Sequence, residues 1–153
     1  MIKLKEPAII FLATGGLIGY SPVAPGTIGS LAALPLCLLI ASISVGSGLI
    51  VLVALVAVST WLAHEAEKTV GQTDPKQVVI DEICGMAIAL FALPFEPLLA
   101  VWGFALFRLF DILKPFPIGW VDKRVGGGWG IMLDDVIAGV LANGLLRIGM
   151  FVF

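Results

Sequence analysis

Charged residues are scarce in this sequence. Only 13% of its 153 residues are Asp, Glu, Lys or Arg, whereas 59% are hydrophobic. A soluble domain carries about 25% charged residues, and a chain with half that fraction cannot cover a water-facing surface with polar groups. The composition therefore excludes an ordinary soluble globule and a disordered chain. The net charge of −2 and the lack of a basic stripe exclude a nucleic-acid-binding domain.

One long segment lacks charge altogether. No Lys, Arg, Asp, Glu or His occurs from Pro7 to Ala63, a run of 57 residues. A membrane span needs about 20 apolar residues, so this run has room for two spans. The chain is therefore predicted to be an integral membrane protein. Period-2 alternation of apolar residues is also missing, which argues against a β-barrel.

Glycine, proline and charge divide the chain into predicted helices. Residues 8–18 are too few to cross a bilayer, since a helix of that length rises only about 16 Å, and we expect a short re-entrant or interfacial helix there. Five membrane helices follow, predicted over residues 27–43, 49–66, 78–95, 98–113 and 131–150. The third and fourth have short uncharged cores, so we expect them to be short, tilted or partly inserted. The prediction is an all-α, polytopic membrane protein in which residues 1–153 form one domain.

The predicted topology puts three loops, at residues 19–27, 67–77 and 114–130, on one side of the membrane. The basic residues of that side are Lys68, Lys76, Arg108, Lys114, Lys123 and Arg124. Lys3 and Lys5 join them if the first helix does not cross. Because positive residues mark the cytoplasmic side, we expect a multi-pass protein of the bacterial cytoplasmic (inner) membrane, with this face inside and the C-terminus outside.

Most of the carboxylates belong to the same side. Two adjacent pairs, Asp81-Glu82 and Asp134-Asp135, each open an apolar helix, and Asp111 lies near the end of another. Carboxylates close to hydrocarbon are costly and usually functional. Helix capping explains one acid at each helix start, but it does not explain two pairs and Asp111. Since a set of oxygen ligands suits Mg²⁺, the pattern predicts a divalent-cation site.

Basic residues near these acids offer contacts for an anion. Arg108 lies three residues before Asp111 and on the same helix face, so the two could also form a simple ion pair. Lys114, Lys123 and Arg124 lie in the following loop. They could hold phosphate, set the orientation of the chain, or anchor lipid headgroups.

Two glycine-rich segments are further candidates for the site. The first, residues 25–30, opens a helix and would expose backbone N–H groups together with the hydroxyls of Thr27 and Ser30. Its glycines could instead serve close helix packing. The second, residues 126–130, could let the backbone approach a ligand or could form a flexible turn.

Four segments taken together resemble the phosphatidylglycerophosphatase A family. They are APGTIGS at residues 24–30, VIDEICGM at 79–86, FRLFDILKP at 107–115 and GGWGIMLDDVIAG at 127–139. The resemblance is collinear from about residue 15 to about residue 144. It implies an integral membrane, Mg²⁺-dependent phosphatase that removes the terminal phosphate of phosphatidylglycerophosphate to give phosphatidylglycerol.

Several candidate site residues, including Asp111, lie on motif positions of the family, and we infer their roles from their chemistry. The acidic motif positions match Asp81, Glu82, Asp134 and Asp135, which we expect to bind the metal. Together with Asp111 these four are the expected catalytic residues. Arg108, Lys114 and Asp122 match the family as well. The expected substrate-binding residues are Thr27, Ser30, Arg108, Lys114, Asp122, Lys123 and Arg124.

Phosphatase mechanisms that need other residues are disfavoured. Neither Cys37 nor Cys84 is followed by Arg at the spacing of cysteine phosphatases, and the two fit neither a disulfide framework nor a CxxC metal site. No Asp-x-Asp motif occurs, and one histidine argues against a histidine nucleophile. The mechanism that remains is metal-assisted attack on the phosphate by water or by a carboxylate.

The alternative function is an acid-lined ion or proton transporter, although such sites lie near the bilayer midplane. A non-catalytic membrane subunit is a further alternative.

Overall fold

The computed structural model describes residues 6–152, so Lys3 and Lys5 lie outside the described residues. All regular structure within that range is helical, which confirms the predicted all-α class for this part of the chain. A 3-10 turn, Ile18–Tyr20, follows the first helix. The helices are α1 (Glu6–Ala13), α2 (Pro25–Ala32), α3 (Leu34–Ala41), α4 (Val45–Val70), α5 (Ile80–Ala89), α6 (Pro97–Leu113), α7 (Ile118–Asp122) and α8 (Gly127–Val152).

Two helices in the described range, α4 and α8, are long and apolar enough to cross a membrane. Each has 26 residues, or about 39 Å of helix, which exceeds the hydrocarbon thickness of about 30 Å. Of the five predicted membrane helices, two are therefore present at full length in the described range, and the other three correspond to shorter apolar segments. The predicted first span is divided at Ala33 into α2 and α3, and α6 has 17 residues.

The predicted third span is the most shortened, because α5 has only ten residues. The carbonyl groups at its C-terminal end bond to side chains of α8 instead of continuing the helix. Asn143 Nδ2 donates to the carbonyls of Ile88, Ala89 and Phe91 at 3.2, 3.0 and 2.9 Å. Arg147 donates to the carbonyls of Phe91 and Ala92 at 3.1 and 3.0 Å. These bonds satisfy groups that a helix end otherwise leaves unpaired.

Helix α8 is the centre of the bundle and packs against α4, α5, α6 and α7. Its backbone comes close to that of α5 where Gly139 meets Gly85. A Cβ atom on Gly139 would lie 2.4 Å from the Gly85 carbonyl oxygen, so only glycine allows this crossing. Small residues permit such close contact between membrane helices. Both glycines follow an acidic pair by about one helical turn, and the crossing therefore brings the two pairs together.

The outer faces of the long helices are apolar and exposed. Ile50 on α4, Leu98 on α6 and Ile148 on α8 are 72%, 68% and 60% exposed. Extended exposed apolar surface of this kind is typical of membrane contact. Helix α7, which lies within the predicted loop 114–130, buries Ile118 and Val121 against the bundle.

Candidate active site

A polar cavity of about 270 Å³ lies at the end of the bundle where α2, α5 and α8 begin and α6 ends. The loops predicted to share one side contribute Ala24, Asp74 and Lys114 to its lining. Its ionisable lining residues are Asp74, Lys76, Asp81, Glu82, Arg108, Asp111, Lys114, Asp134 and Asp135. Six carboxylates and three cations give this lining a formal charge of −3.

Three carboxylates from α5 and α8 converge in the cavity, and we call them the first triad: Asp81, Glu82 and Asp135. Each offers one oxygen atom, and these atoms lie within 4.8 Å of one another. Asp81 and Asp135 are only 8% and 2% exposed. Asp81 Oδ1, Glu82 Oε2 and Asp135 Oδ2 are buried without a hydrogen-bond partner. Buried carboxylate oxygens without donors are costly, and a cation with oxygen ligands would satisfy all three at once.

A second triad consists of Asp111, Asp134 and Asp135, whose ligand atoms also lie within 4.8 Å of one another. Asp135 belongs to both triads. The other two members already have cationic partners, since Arg108 donates to Asp111 Oδ2 and Lys114 donates to Asp134 Oδ2. The backbone N–H of Asp135 donates to Asp134 Oδ1 at 3.0 Å. The acids of the two triads thus differ in their partners, although they share one cavity.

Lys114 ties two carboxylates together. Its Nζ donates to Asp122 Oδ1 at 2.5 Å and to Asp134 Oδ2 at 2.6 Å. Burial lowers the pKa of Lys114, but the hydrogen bonds to the two carboxylates outweigh it and raise that pKa above its usual range. Lys114 therefore stays charged. Nearby, burial raises the pKa of Asp74, and the charge of Lys114 opposes that rise in part.

Arg108 lies where the start of α2 meets α5 and α6. Its Nη1 contacts Asp111, whereas its Nε is buried without a hydrogen-bond partner. A Cβ atom on Gly26 would lie 2.2 Å from Glu82 Oε1 and 3.2 Å from Arg108 Nη1. The absence of a side chain at Gly26 thus lets the first turn of α2 approach both groups. That turn has free N–H groups and the positive end of the helix dipole, so an anion would be stabilised there.

The two predicted hydroxyl ligands lie away from the cavity surface. Ser30 is buried, and its hydroxyl donates to the Gly26 carbonyl at 2.8 Å. Thr27 is not among the residues that line the cavity, whereas Pro25 and Gly26 from the same segment are. This segment contributes backbone, not hydroxyl groups, to the cavity.

The basic residues after α7 are also outside the lining. Lys123 and Arg124 are exposed, and the Arg124 guanidinium stacks 4.9 Å from the ring centroid of Trp120. Two lining residues, Asp74 and Lys76, were not among the expected site residues, because a polar loop next to a turn signal carries no pattern that points to a site. The predicted topology puts this loop on the side of the acidic pairs, and the fold adds that its residues line the same cavity.

The sequence profile of the phosphatidylglycerophosphatase A family matches residues 11–150 of this chain. The chain belongs to the phosphatidylglycerophosphatase A family. A relative from Escherichia coli named phosphatidylglycerophosphatase A is 42% identical over 146 residues, which cover 95% of this chain and 84% of the relative. One of the same name from Haemophilus influenzae is 40% identical, over 92% of this chain and 87% of its own.

A third relative differs in the lipid that its name gives. It comes from Bacteroides thetaiotaomicron, is named for a proposed phosphatidylinositol-3-phosphatase activity, and is 35% identical over 97% of this chain and 99% of its own. No solved structure shows significant similarity to the chain. Membership of the phosphatidylglycerophosphatase A family makes the chain a phosphatase, and the family implies a membrane-lipid substrate.

Proposed function

We propose that this protein is a Mg²⁺-dependent phosphatidylglycerophosphatase formed by one membrane domain over residues 1–153. It hydrolyses the terminal phosphate monoester of phosphatidylglycerophosphate to phosphatidylglycerol and inorganic phosphate. Family membership supports the substrate. The observation that carries the metal requirement is the first triad, with its three buried and unpartnered carboxylate oxygens.

In this proposal Asp81, Glu82 and Asp135 hold the ion, and Asp134 supports it from the neighbouring position. A bound Mg²⁺ supplies positive charge to the transferring phosphoryl group and can lower the pKa of a bound water. The cavity needs that charge, because a phosphate monoester is close to a dianion and a lining of formal charge −3 repels it. Asp111 completes the catalytic set through its contact with Arg108.

Arg108 and the first turn of α2 bind the phosphate oxygens. A guanidinium can grip two oxygens at once, and its unpartnered Nε supports that role. Lys114 holds Asp122 and Asp134 in place and adds positive charge beside them. Lys123 and Arg124, both exposed, draw the anionic headgroup towards the membrane surface.

The membrane arrangement follows from the substrate. A lipid presents its phosphate at the surface and its acyl chains to the bilayer, so the cavity must open to both. We place the cavity end of the bundle at the cytoplasmic side of the inner membrane, because the basic loops lie there. Helices α4 and α8 span the bilayer, and α2 with α3, α5 and α6 complete the membrane domain as shorter segments. Convergence of the acids at one end of the bundle disfavours the transporter alternative.

The test measures phosphate release from phosphatidylglycerophosphate in detergent micelles, with Mg²⁺ or with EDTA. We expect activity only with Mg²⁺. Asp81→Asn and Asp135→Asn should each lose almost all of it, because each change removes a charged ligand at nearly constant volume. Glu67→Gln, on the same face but outside the cavity lining, should retain it.

Two results would contradict the proposal. Full activity in EDTA would remove the metal requirement, and normal turnover by both Asn variants would remove the assigned site. Phosphatidylinositol 3-phosphate should be tested beside the main substrate because of the name of the Bacteroides relative. A higher kcat/KM for that lipid would replace the proposed substrate and leave the metal site intact.

A further inference from the structure

We propose that the cavity binds two divalent cations and that Asp135 bridges them. The first ion lies in the first triad, and the second lies between Asp111, Asp134 and Asp135. This inference rests on the proposed function and deepens it, because it sets the number of ions and gives the second one its own ligands.

The position of Asp135 in the bundle suits a bridge. It comes from α8, which packs against both α5 and α6. These two helices supply the remaining acids of the first triad and Asp111. Asp135 is 2% exposed, and its Oδ2 has no hydrogen-bond partner. A carboxylate has two oxygens and about four lone-pair sites, so one side chain can ligate an ion on each side.

The net charge of the cavity would differ between one bound ion and two. The lining residues have a formal charge of −3. A single divalent ion leaves a net charge of −1, which still repels a phosphate monoester, whereas two ions give +1, which attracts it. By this formal count the second ion favours binding of the substrate.

The two positions should differ in affinity. In the first triad each acid has a buried oxygen without a partner. In the second, Arg108 contacts Asp111 and Lys114 contacts Asp134, and an incoming ion must compete with both cations. We therefore expect tight binding of the first ion and weaker binding of the second.

The experiment measures Mn²⁺ alone, bound to the purified full-length protein in detergent, by equilibrium dialysis and by electron paramagnetic resonance. We expect two ions per chain, one tight and one weak, with a spin-coupled spectrum at saturation. Asp111→Asn should retain the tight ion, lose the weak one and give an uncoupled spectrum. Asp81→Asn should lose the tight ion. Glu67→Gln should bind two ions like the unmodified protein.

A single ion per chain at saturation, or two coupled ions in Asp111→Asn, would overturn the two-ion site. Asp134→Asn removes a ligand from the same position and replaces Asp111→Asn if that variant does not fold. The outcome is separable from that of the proposed function. One bound ion with Mg²⁺-dependent activity contradicts only the bridge, whereas full activity in EDTA contradicts the phosphatase mechanism whatever the number of ions.

Discussion

Arg108 combines a fixed guanidinium with a free donor, the property expected of a phosphate ligand. Asp111 holds its Nη1, while its Nε is buried without a partner. Arg108→Lys keeps the charge and loses the planar fork, so we expect kcat/KM to fall about 100-fold, the typical loss of a transition-state donor. Steady-state kinetics on phosphatidylglycerophosphate micelles measure this effect.

The matched control for this prediction is Lys114→Arg. A guanidinium at that position can still reach Asp122 and Asp134, which Lys114 contacts at 2.5 and 2.6 Å. We expect this variant to lose far less activity than Arg108→Lys. An Arg108→Lys enzyme as active as the unmodified one, beside an inactive Lys114→Arg enzyme, would mean that the two residues exchange roles.

The individual site residues also show how much of the site could be predicted from the sequence. Asp81, Glu82, Asp134 and Asp135 could be proposed as site residues from the sequence, because acids among apolar helical residues are costly without a function. The expectation that Asp134 and Asp135 open their helix is wrong, since α8 begins at Gly127 and both acids lie about two turns inside it. The division of the acids into two triads was not predictable, since it depends on where Gly85 and Gly139 let two distant helices cross. The contacts of Lys114 were hidden for the same reason, as a basic residue in a loop carries no information about its partners.

Helices α4 and α8 were predictable as elements, whereas the length of α5 was not. In α4 a long apolar run without charge indicates a full span, and α8 is apolar on both sides of its charged residues Asp134, Asp135 and Arg147. The end of α5 is fixed by Asn143 and Arg147, more than fifty residues further along the chain. No local signal near residue 89 reveals that interaction, and the apolar residues after it continue the pattern of a helix. The predicted third span therefore extended too far.

The hydrogen bonds from Asn143 to the C-terminal end of α5, which we call the clamp, should contribute measurably to the stability of the protein. Asn143→Ala removes the three hydrogen bonds that the amide nitrogen donates and the one that Oδ1 accepts from Arg147, and the carbonyl of Ala89 loses this donor. We expect a loss of about 1–3 kcal/mol in the free energy of unfolding, the usual cost of a buried group left unpaired. Denaturant unfolding in detergent, followed by circular dichroism, measures it.

The neighbouring residue offers a control for the clamp. A Cβ atom on Gly144 would meet no other atom within 4 Å, so Gly144→Ala should leave the free energy of unfolding unchanged or raise it slightly. Equal stability of Asn143→Ala and the unmodified protein would show that the clamp does not hold the end of α5.

At the scale of the whole molecule, the ionisable residues that line the cavity lie together at one end of an apolar bundle. The cavity collects the starts of α2 and α5, the second and third turns of α8 and the end of α6. Helix N-termini favour bound anions, and the acids at the same place favour cations. The proposed metal ion and the phosphate group would thus both be attracted to this end of the bundle, while the outer faces of the long helices are exposed and apolar.

The orientation of this bundle can be tested by cysteine labelling in intact cells. Gln72 and Gly126 lie at the cavity end, where Gly127 approaches His64 and Glu67 near the end of α4, whereas Val152 ends α8 at the opposite side. We expect Gln72→Cys and Gly126→Cys to resist a membrane-impermeant thiol reagent and Val152→Cys to react, because the basic loops should be cytoplasmic.

The native Cys37 and Cys84 are buried, so the unmodified protein supplies the background. All three positions should react once the membrane is permeabilised, which controls for access. Labelling of the first two in intact cells, with protection of Val152→Cys, would place the cavity on the outer side and contradict a cytoplasmic active site.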